Sequence, residues 1–284
     1  MCVFPMLDQL IQVLTPTPIG EDRFEAQNMH PESMRVYGGQ VLAQAISAAV
    51  QTVDPVRVLH SQHAYFLRPG DPRKPIVLEV ERARDGASFS ARRVVAKQQG
   101  KAILGSSMSF QMPSAGDDYQ PDMPDAPPPE SLPSERQLSL EAGNLDESFM
   151  ITTGEDLDIR VVEPIDWQNP VPRKGKLQAW MKTSGKVPDD PGLHRSLLAY
   201  LSDTFLIDVC LIVHGRHFDE GGFQVASLDH ALWFHDDFRA DEWLLHQVEA
   251  ERLSGGRGLA RGSFYTREGK LVATTVQQGL MRFR

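Results

Sequence analysis

Cysteine is almost absent from this chain of 284 residues, in which Cys2 and Cys210 are the only two. One lies at a terminus that we expect to fray and the other lies within an apolar run, so we expect neither a disulfide framework nor a thiolate metal site. We expect Cys210 to be a core residue.

The sequence also lacks an apolar run of the roughly 18 residues that a membrane span requires, and residues 1–10 lack the basic flank and apolar centre of a secretory signal. These absences predict a soluble intracellular protein without integral membrane association.

Positive charge is in deficit, since the formal net charge is −9. This balance argues against a general nucleic-acid-binding protein, although a local basic patch could hold an anionic ligand. The chain also contains no Gly-x-Ser-x-Gly elbow, no His-Glu-x-x-His zinc helix, no phosphate-binding glycine loop and no dinucleotide fingerprint. His60 and His63 could suggest a metal pair, but residues three apart on a strand point to opposite faces. We therefore expect neither a metal nor a cofactor.

Two short motifs occur twice, in the same order. His63-Ala64-Tyr65-Phe66 is repeated as His230-Ala231-Leu232-Trp233, and Gly100-Lys101-Ala102-Ile103 is repeated as Gly269-Lys270-Leu271-Val272. The separations of 167 and 169 positions differ by only a two-residue insertion. Such a repeat predicts two similar units packed as a pseudo-dimer, and matched positions that differ in polarity would mark a task that one unit kept and the other lost.

Proline is concentrated between Met112 and Pro133, where seven prolines interrupt regular hydrogen bonding. We interpret this segment as a linker. The predicted organisation is a first unit of residues 1–112, a linker of residues 113–135 and a second unit of residues 136–284. A composition of 41% hydrophobic and 24% charged residues suits globular domains of this size.

Each half is predicted to contain one long helix followed by antiparallel strands. In the first half, small apolar residues from Gln40 to Val50 suit a helix packed on a sheet. In the second half, Asp190 and Pro191 are a capping residue and a proline at the first helical position, and we expect that helix to reach about Ile207. Residues 223–234 are among the predicted strands that follow. A helix wrapped by a curved antiparallel sheet is the hotdog arrangement, so we predict an α+β double hotdog, with two unrelated α+β domains as the alternative.

Three matched positions differ in chemistry between the halves. They were aligned through the motif repeat and, for the helices, by placing Leu42 over Leu198. The pairs, with the first half given first, are Ser47 and Asp203, His60 and Ser227, and Met108 and Gln277. The second half therefore offers an acid, a hydroxyl and an amide where the first half offers a serine, a histidine and a methionine.

Asp203 is unusual among helical aspartates because its neighbours one turn away are apolar or aromatic. They are Ala199, Tyr200, Leu206 and Ile207. An acid in such a place is costly without a partner. A carboxylate paired within the core and a catalytic carboxylate both remain open, and only the acid, hydroxyl and amide together suggest a site.

These three groups suit the hydrolysis of an activated acyl group. A carboxylate can accept a proton from water, while a hydroxyl and an amide can hold that water and polarise a carbonyl. Thioesters are already good electrophiles that need no metal and no strongly activated nucleophile. That requirement agrees with the absence of the motifs named above.

The chain resembles the acyl-CoA thioesterase II family over nearly its whole length. The motifs that carry the resemblance are Val36-Tyr37-Gly38-Gly39-Gln40, residues 60–70, residues 84–94, Tyr200-Leu201-Ser202-Asp203, residues 227–235 and Thr275-Val276-Gln277-Gln278-Gly279. That family has the double hotdog fold and hydrolyses acyl-CoA to a free fatty acid and coenzyme A. The resemblance implies the same fold and reaction here, with acyl-CoA as the substrate.

The family's catalytic aspartate, threonine and glutamine correspond to Asp203, Ser227 and Gln277. Serine keeps the hydroxyl but lacks the methyl group that restrains the rotamer, so we expect weaker orientation there. The resemblance implies direct attack by water, with Asp203 as general base or water anchor and backbone amides at the oxyanion. Gly38 and Gly39 could supply those amides, or could instead allow close helix packing.

Three alternatives remain open. Ser227 could form an acyl-enzyme with His230 as its base. His194 and Asp190 could be a weak version of the acid and histidine pair of a hotdog dehydratase. The chain could also bind acyl-CoA without turning it over.

The expected substrate also sets expectations for charge and location. Coenzyme A carries several phosphate charges, which an acidic protein must meet with local cations. The candidates are Arg68, Arg82, Arg84, Arg92, Arg93, Arg257 and Arg261. Because the last residues are not an address of the Ser-Lys-Leu type, we expect a cytoplasmic bacterial enzyme. Exposed sheet edges favour a homo-oligomer, either a dimer or a tetramer.

Overall fold

The computed structural model describes residues 6–143, 150–218 and 220–283. The helices are α1 (Met6–Leu14), α2 (Gly38–Val50), α3 (Glu135–Glu141), α4 (Met150–Thr153), α5 (Pro191–Ser202) and α6 (Asp208–Ile212). The strands are β1 (Thr17–Gly20), β2 (Arg23–Ala26), β3 (Val58–Phe66), β4 (Ile76–Asp85), β5 (Phe89–Gln98), β6 (Lys101–Gln111), β7 (Leu157–Val161), β8 (Lys176–Thr183), β9 (Phe223–Ser227), β10 (Asp229–Phe234), β11 (Leu244–Ser254), β12 (Arg257–Thr266) and β13 (Leu271–Phe283). The predicted α+β class is confirmed.

The strands of the described residues form one antiparallel sheet. Its order is β1-β2-β4-β5-β6-β3-β10-β13-β12-β11-β8-β7, and β9 also pairs with β13. Residues 6–111, the first unit, supply β1 to β6, and residues 157–283, the second unit, supply β7 to β13. The two parts of the sheet meet where β3 pairs with β10. The helices α2 and α5 pack against each other. Each unit has the predicted long helix followed by antiparallel strands, and the first strand after the helix, β3 or β10, pairs with the last one, β6 or β13.

The start of α5 is determined by local sequence. Asp190 is the N-cap, and its Oδ1 accepts the N–H groups of Gly192 and Leu193 at 2.8 and 3.2 Å. Pro191 occupies the first helical position, where a missing N–H costs nothing. The predicted start of this helix is confirmed.

The predicted end of α5 at Ile207 is wrong, because the helix stops at Ser202. Phe205 has a φ of 71°, in the left-handed region that a right-handed helix cannot contain. The apolar pattern that predicted a longer helix continues past this break into α6. Asp203 is therefore the C-cap of α5 and not an interior residue.

The single strand predicted over residues 223–234 is interrupted at Leu228. The N–H of Leu228 donates to the Gln278 carbonyl at 2.9 Å, and its own carbonyl accepts the N–H of Phe66 at 3.0 Å. As a result, among the described strands β9 pairs only with β13, whereas β10 pairs with both β13 and β3. This break leaves Ser227 at the end of β9, beside β13.

The repeat between the units holds at one of its two motifs. Gly100 and Gly269 both lie in hairpin turns, with φ angles of 75° and 91°. The matching of His63 with His230 is wrong by one residue. His63 lies opposite Ala231 across the β3–β10 pair, and it is exposed while His230 is buried. A shift of one residue along a strand moves a side chain to the other face of the sheet.

The core lies between the helices and one face of the sheet. Its largest cluster takes buried apolar residues from α1, α2, α5 and α6 and from strands of both units. Cys210 belongs to this cluster, as expected. Among the described residues, no helix has the length and apolar character of a membrane span.

The proline-rich segment crosses the other face of the second unit. Pro127 accepts the indole N–H of Trp180 at 2.9 Å, and Gln120 bonds to the backbone of Gly269 and Leu271. A small apolar cluster forms beneath the segment around Trp180, Leu245 and Tyr265. The segment therefore covers β8, β11 and β12 from outside.

Candidate active site

The carboxylate of Asp203 lies where the end of α5 meets the start of α2. Its Oδ2 accepts the N–H of Gly39 at 2.9 Å. A Cβ atom on Gly38 would stand 2.5 Å from that oxygen, and one on Gly39 would collide with the carbonyl of Tyr200. The two glycines therefore permit close helix packing. The N–H of Gly39 is already engaged by the carboxylate and cannot also serve an oxyanion.

Asp203 has a strongly perturbed acidity. Its Oδ1 is out of contact with solvent and has no hydrogen-bond partner among residues 6–143, 150–218 and 220–283. Burial raises the pKa of Asp203 to about 7, while the nearby Gln277 amide, the Gly39 N–H and the charge of Arg35 act in the opposite direction. A carboxylate with a pKa near the working pH is suited to general base catalysis.

Gln277 and Ser227 are brought together by the pairing of β13 with β9. The Nε2 group of Gln277 donates to Ser227 Oγ at 3.0 Å. The Gln277 amide also lowers the pKa of Asp203, so it lies near the carboxyl as well as near the serine. The three residues predicted from sequence thus lie around one place at the junction of the two units.

His230 holds the other end of the Gln277 amide. Its Nδ1 lies 2.6 Å from Gln277 Oε1, and its Nε2 lies 3.0 Å from Ser202 Oγ and 3.1 Å from Thr275 Oγ1. Burial lowers the pKa of His230 to about 4, so the ring is neutral. Both ring nitrogens are engaged away from Ser227, which argues against the acyl-enzyme alternative. Sequence reasoning considered His230 only as a base and missed this contact.

The strand pairings correct one of the matched positions. Counted from the turn glycines, Met108 and Gln277 occupy the same place in β6 and β13, as the sequence alignment had them. Leu59 pairs with β6 at the place where Ser227 pairs with β13. The counterpart of Ser227 is therefore Leu59 and not His60.

The helix alignment also needs correction. When the N-caps Tyr37 and Asp190 are superposed, Val50 and not Ser47 corresponds to Asp203. In agreement, Val50 approaches the start of α5 as Asp203 approaches the start of α2. The first unit thus has three apolar residues where the second has the acid, the hydroxyl and the amide.

Arg92 occupies the corresponding region of the first unit. It pairs with Met108 in the sheet, whereas the residue beside Gln277 is the small Ala260. The buried guanidinium of Arg92 donates to Thr52, just after α2, and forms an ion pair with Asp85 at 2.7 Å. In the first unit, the side chain of Arg92 therefore fills the region in which the second unit has its polar residues.

The dehydratase pair does not form. Asp190 caps α5, and the Nδ1 of His194 accepts the N–H of Ala240 at 3.1 Å, so the two side chains have separate partners. His60 bonds to Ser109 and His63 packs on Trp233. Within the described parts of the chain, no group of three His, Cys, Asp or Glu residues could hold a metal ion.

The arginines proposed for coenzyme A are spread over both units, and most have protein partners. Arg82 pairs with Asp22, and Arg93 pairs with Glu81. The cation whose charge reaches Asp203 is instead Arg35, an exposed residue that donates to the Val225 carbonyl at 3.3 Å. Arg35 could not be predicted from the sequence, because it precedes α2 while Asp203 follows α5.

Two family models match the chain. The acyl-CoA thioesterase model matches residues 165–280, and the model of the acyl-CoA thioesterase N-terminal domain matches residues 26–111. The chain is 37% identical to acyl-CoA thioesterase 2 of Haemophilus influenzae over 98% of both chains. The chain belongs to the acyl-CoA thioesterase family. This thioesterase is also 36% identical to acyl-coenzyme A thioesterase 8 of Mus musculus, covering 96% of this chain and 88% of the relative.

Solved structures agree with this assignment. The thioesterase is similar to the acyl-CoA thioesterase II TesB2 from Mycobacterium marinum, with a TM-score of 0.80 at 39% identity over 97% of this chain and 98% of the other. A conserved protein with a hot dog fold from Alicyclobacillus acidocaldarius matches with a TM-score of 0.77 at 20% identity, covering 97% of this chain and 98% of the other, which supports the fold alone. The predicted double hotdog is confirmed.

Proposed function

We propose that this acyl-CoA thioesterase hydrolyses fatty acyl-CoA to a free fatty acid and coenzyme A at Asp203, Ser227 and Gln277, by direct attack of water. The observation that carries the proposal is the buried Oδ1 of Asp203, which has no partner among the described residues although the carboxyl lies beside Gln277. A buried polar atom without a partner is unusual and is explained if the substrate water binds there.

The carboxylate of Asp203 accepts a proton from that water. The Gly39 N–H holds Oδ2, which leaves Oδ1 to bind the water. The water oxygen bonds to the carbonyl carbon of the thioester while its proton moves to the carboxylate. The carbon–sulfur bond then breaks, and the same proton passes to the departing sulfur of coenzyme A. A pKa of about 7 allows the carboxyl to take and return that proton near neutral pH.

Ser227 and Gln277 complete the site. Because Ser227 Oγ accepts a bond from Gln277, its own hydroxyl hydrogen is free to donate to the water or to the carbonyl oxygen. The Gln277 amide also lies near the Asp203 carboxyl, whose pKa it lowers, so its second N–H can donate to the water that the carboxyl binds. Donors placed before the reaction stabilise the negative charge that develops on the carbonyl oxygen.

The test is thiol release from acyl-CoA substrates of several chain lengths. Asp203→Asn and Gln277→Ala should each lower kcat/KM by about 100-fold or more, by analogy with the loss of a group that acts in the transition state. Asp54→Asn is a matched control, since Asp54 is an exposed acid that follows α2. Unchanged turnover in both site variants would remove the assignment.

A single-turnover reaction in isotopically labelled water separates direct attack from an acyl-enzyme. Direct attack predicts label in the fatty acid and no acylated peptide that contains Ser227. A trapped ester on Ser227 would rule out direct attack. The engagement of both His230 nitrogens with other residues supports the direct route.

We further propose that this is a cytoplasmic enzyme of lipid metabolism. We propose that its two units, residues 1–112 and 136–284, are joined by residues 113–135, and that the chain assembles as a dimer or tetramer. The proline-rich segment covers the outer face of the second unit, whereas Tyr65 and Phe89 are exposed on the first. That exposed apolar surface supports association. Cell fractionation and light scattering on the purified chain test these points.

A further inference from the structure

We infer that His230 is a positioning residue that fixes the orientation of the Gln277 amide by donating to it from Nδ1. This inference rests on the proposed function, because it concerns a residue of that site. His230 is buried and is placed by β10, and its ring reaches both β13 and the end of α5.

The amide of Gln277 has two orientations that exchange its oxygen and nitrogen. One presents the NH2 group to Ser227 and Asp203, and the other presents the carbonyl oxygen. The second orientation places a lone pair toward the carboxylate of Asp203 and removes the donors that the reaction uses. A hydrogen on Nδ1 of His230, 2.6 Å from Oε1, selects the first orientation because only the oxygen can accept it.

The opposite side of the ring sustains this tautomer. Ser202 Oγ and Thr275 Oγ1 both lie within 3.1 Å of Nε2. Each hydroxyl also lies within reach of a backbone carbonyl, that of Ala199 or Ala231, so one can donate to the ring while the other donates to its carbonyl. An Nε2 that accepts a hydrogen bond requires the proton of the neutral ring to be on Nδ1.

The same ring connects the two halves of the proposed site. Ser202 directly precedes Asp203 in the chain, so the contact between Ser202 and His230 links the acid to the amide. A shift of about 1 Å in a reacting group can cost about 100-fold in rate, which makes such a link valuable.

The first unit supplies an internal comparison. Gln62 pairs with Met108 there and is the counterpart of His230, and it bonds to Ser106, the counterpart of Thr275. The polar contact with the hydroxyl persists, but the side chain it would orient is apolar. Between the two units, the imidazole occurs in the one that has an amide to orient.

Nitrogen-15 NMR of the full chain labelled at histidine tests the tautomer without reference to activity. The His230 signals are assigned by their loss in His230→Asn. We expect a neutral ring with the proton on Nδ1 at pH 7. A ring protonated on Nε2, or on both nitrogens, would overturn the inference.

Kinetics of two amide variants test the function of that proton. In His230→Asn the side-chain NH2 group lies near the place of Nδ1, whereas in His230→Gln it lies near the place of Nε2. We expect kcat within about tenfold of the wild type for asparagine and about 100-fold lower for glutamine, with KM little changed in both. Equal losses of kcat would overturn the positioning role.

Gln277→Ala makes the two possible failures distinguishable. If this variant retains wild-type turnover, the proposed site is wrong. If it is inactive while the two His230 variants behave alike, only the role of His230 is wrong. Thermal unfolding of each variant identifies any that do not fold, and the NMR result on the unmodified chain stands independently of them.

Discussion

Gly38 lies so close to Asp203 that a Cβ atom on the glycine would stand 2.5 Å from the carboxylate oxygen Oδ2. The same added atom would lie 3.1 Å from two ring atoms of Phe66. The start of α2 therefore leaves no room for any side chain where it contacts the proposed general base. The position of the Asp203 carboxylate therefore depends on the absence of a side chain at Gly38.

Gly38→Ala should displace the carboxylate and lower kcat by about 100-fold while the chain remains folded. The methyl group must push Asp203 away from the Gly39 N–H or separate α2 from α5. Thiol release and circular dichroism measure the two effects. Gly105→Ala is the matched control, because a Cβ on Gly105 meets nothing within 4 Å. Full activity in Gly38→Ala would show that the carboxylate need not be held there.

The pH dependence of kcat/KM should report the ionisation of Asp203. Burial raises the pKa of Asp203 to about 7, and the proposed base acts only when ionised. We therefore expect kcat/KM to fall about tenfold for each pH unit below about 7 and to level off above it. Steady-state rates between about pH 5 and 9 measure the midpoint. A flat profile over that range would contradict a catalytic Asp203.

Arg35→Gln should move this midpoint to higher pH. The positive charge of Arg35 lowers the pKa of Asp203, so its removal makes the carboxyl harder to ionise. The shift should shrink at high salt, because Arg35 is exposed and its charge is screened. Arg252→Gln, at an exposed site on β11, is the matched control and should leave the midpoint unchanged. A downward shift in Arg35→Gln would contradict the electrostatic argument.

Features with a local cause could be predicted from the sequence. The start of α5 depends on two adjacent residues, the cap Asp190 and Pro191. The hairpin turns depend on the positive φ angles of Gly100 and Gly269. The acid, hydroxyl and amide were found because a repeated sequence provides its own comparison, even though two of the three first-unit counterparts were misassigned.

Features with a tertiary cause could not be predicted. The shared His-Ala dipeptide suggested that His63 and His230 are equivalent, but the sheet pairing places them on opposite faces. The left-handed conformation of Phe205 ends α5 although the apolar pattern continues. The contact between Gly39 and Asp203 joins residues far apart in the chain, and composition gives no signal for it.

Asp203→Asn should make the protein more stable at alkaline pH while it removes activity. The pKa of Asp203 is 3.8 in its unperturbed state and about 7 in the folded protein, so the folded state favours the protonated form. The stability contributed by that form is complete below about pH 4 and is lost as the pH rises through about 7. At pH 8 the ionised wild-type carboxyl therefore destabilises the fold, by at most about 4 kcal/mol, because each pKa unit corresponds to about 1.4 kcal/mol. Asparagine does not ionise and avoids this cost.

We expect the variant to have a higher Tm than the wild type at pH 8 and a smaller advantage at pH 5, measured by scanning calorimetry. An equal difference in Tm at both pH values would contradict the argument that burial raises the pKa of Asp203. It would also mean that a base that ionises near neutral pH does not lower the stability of the fold.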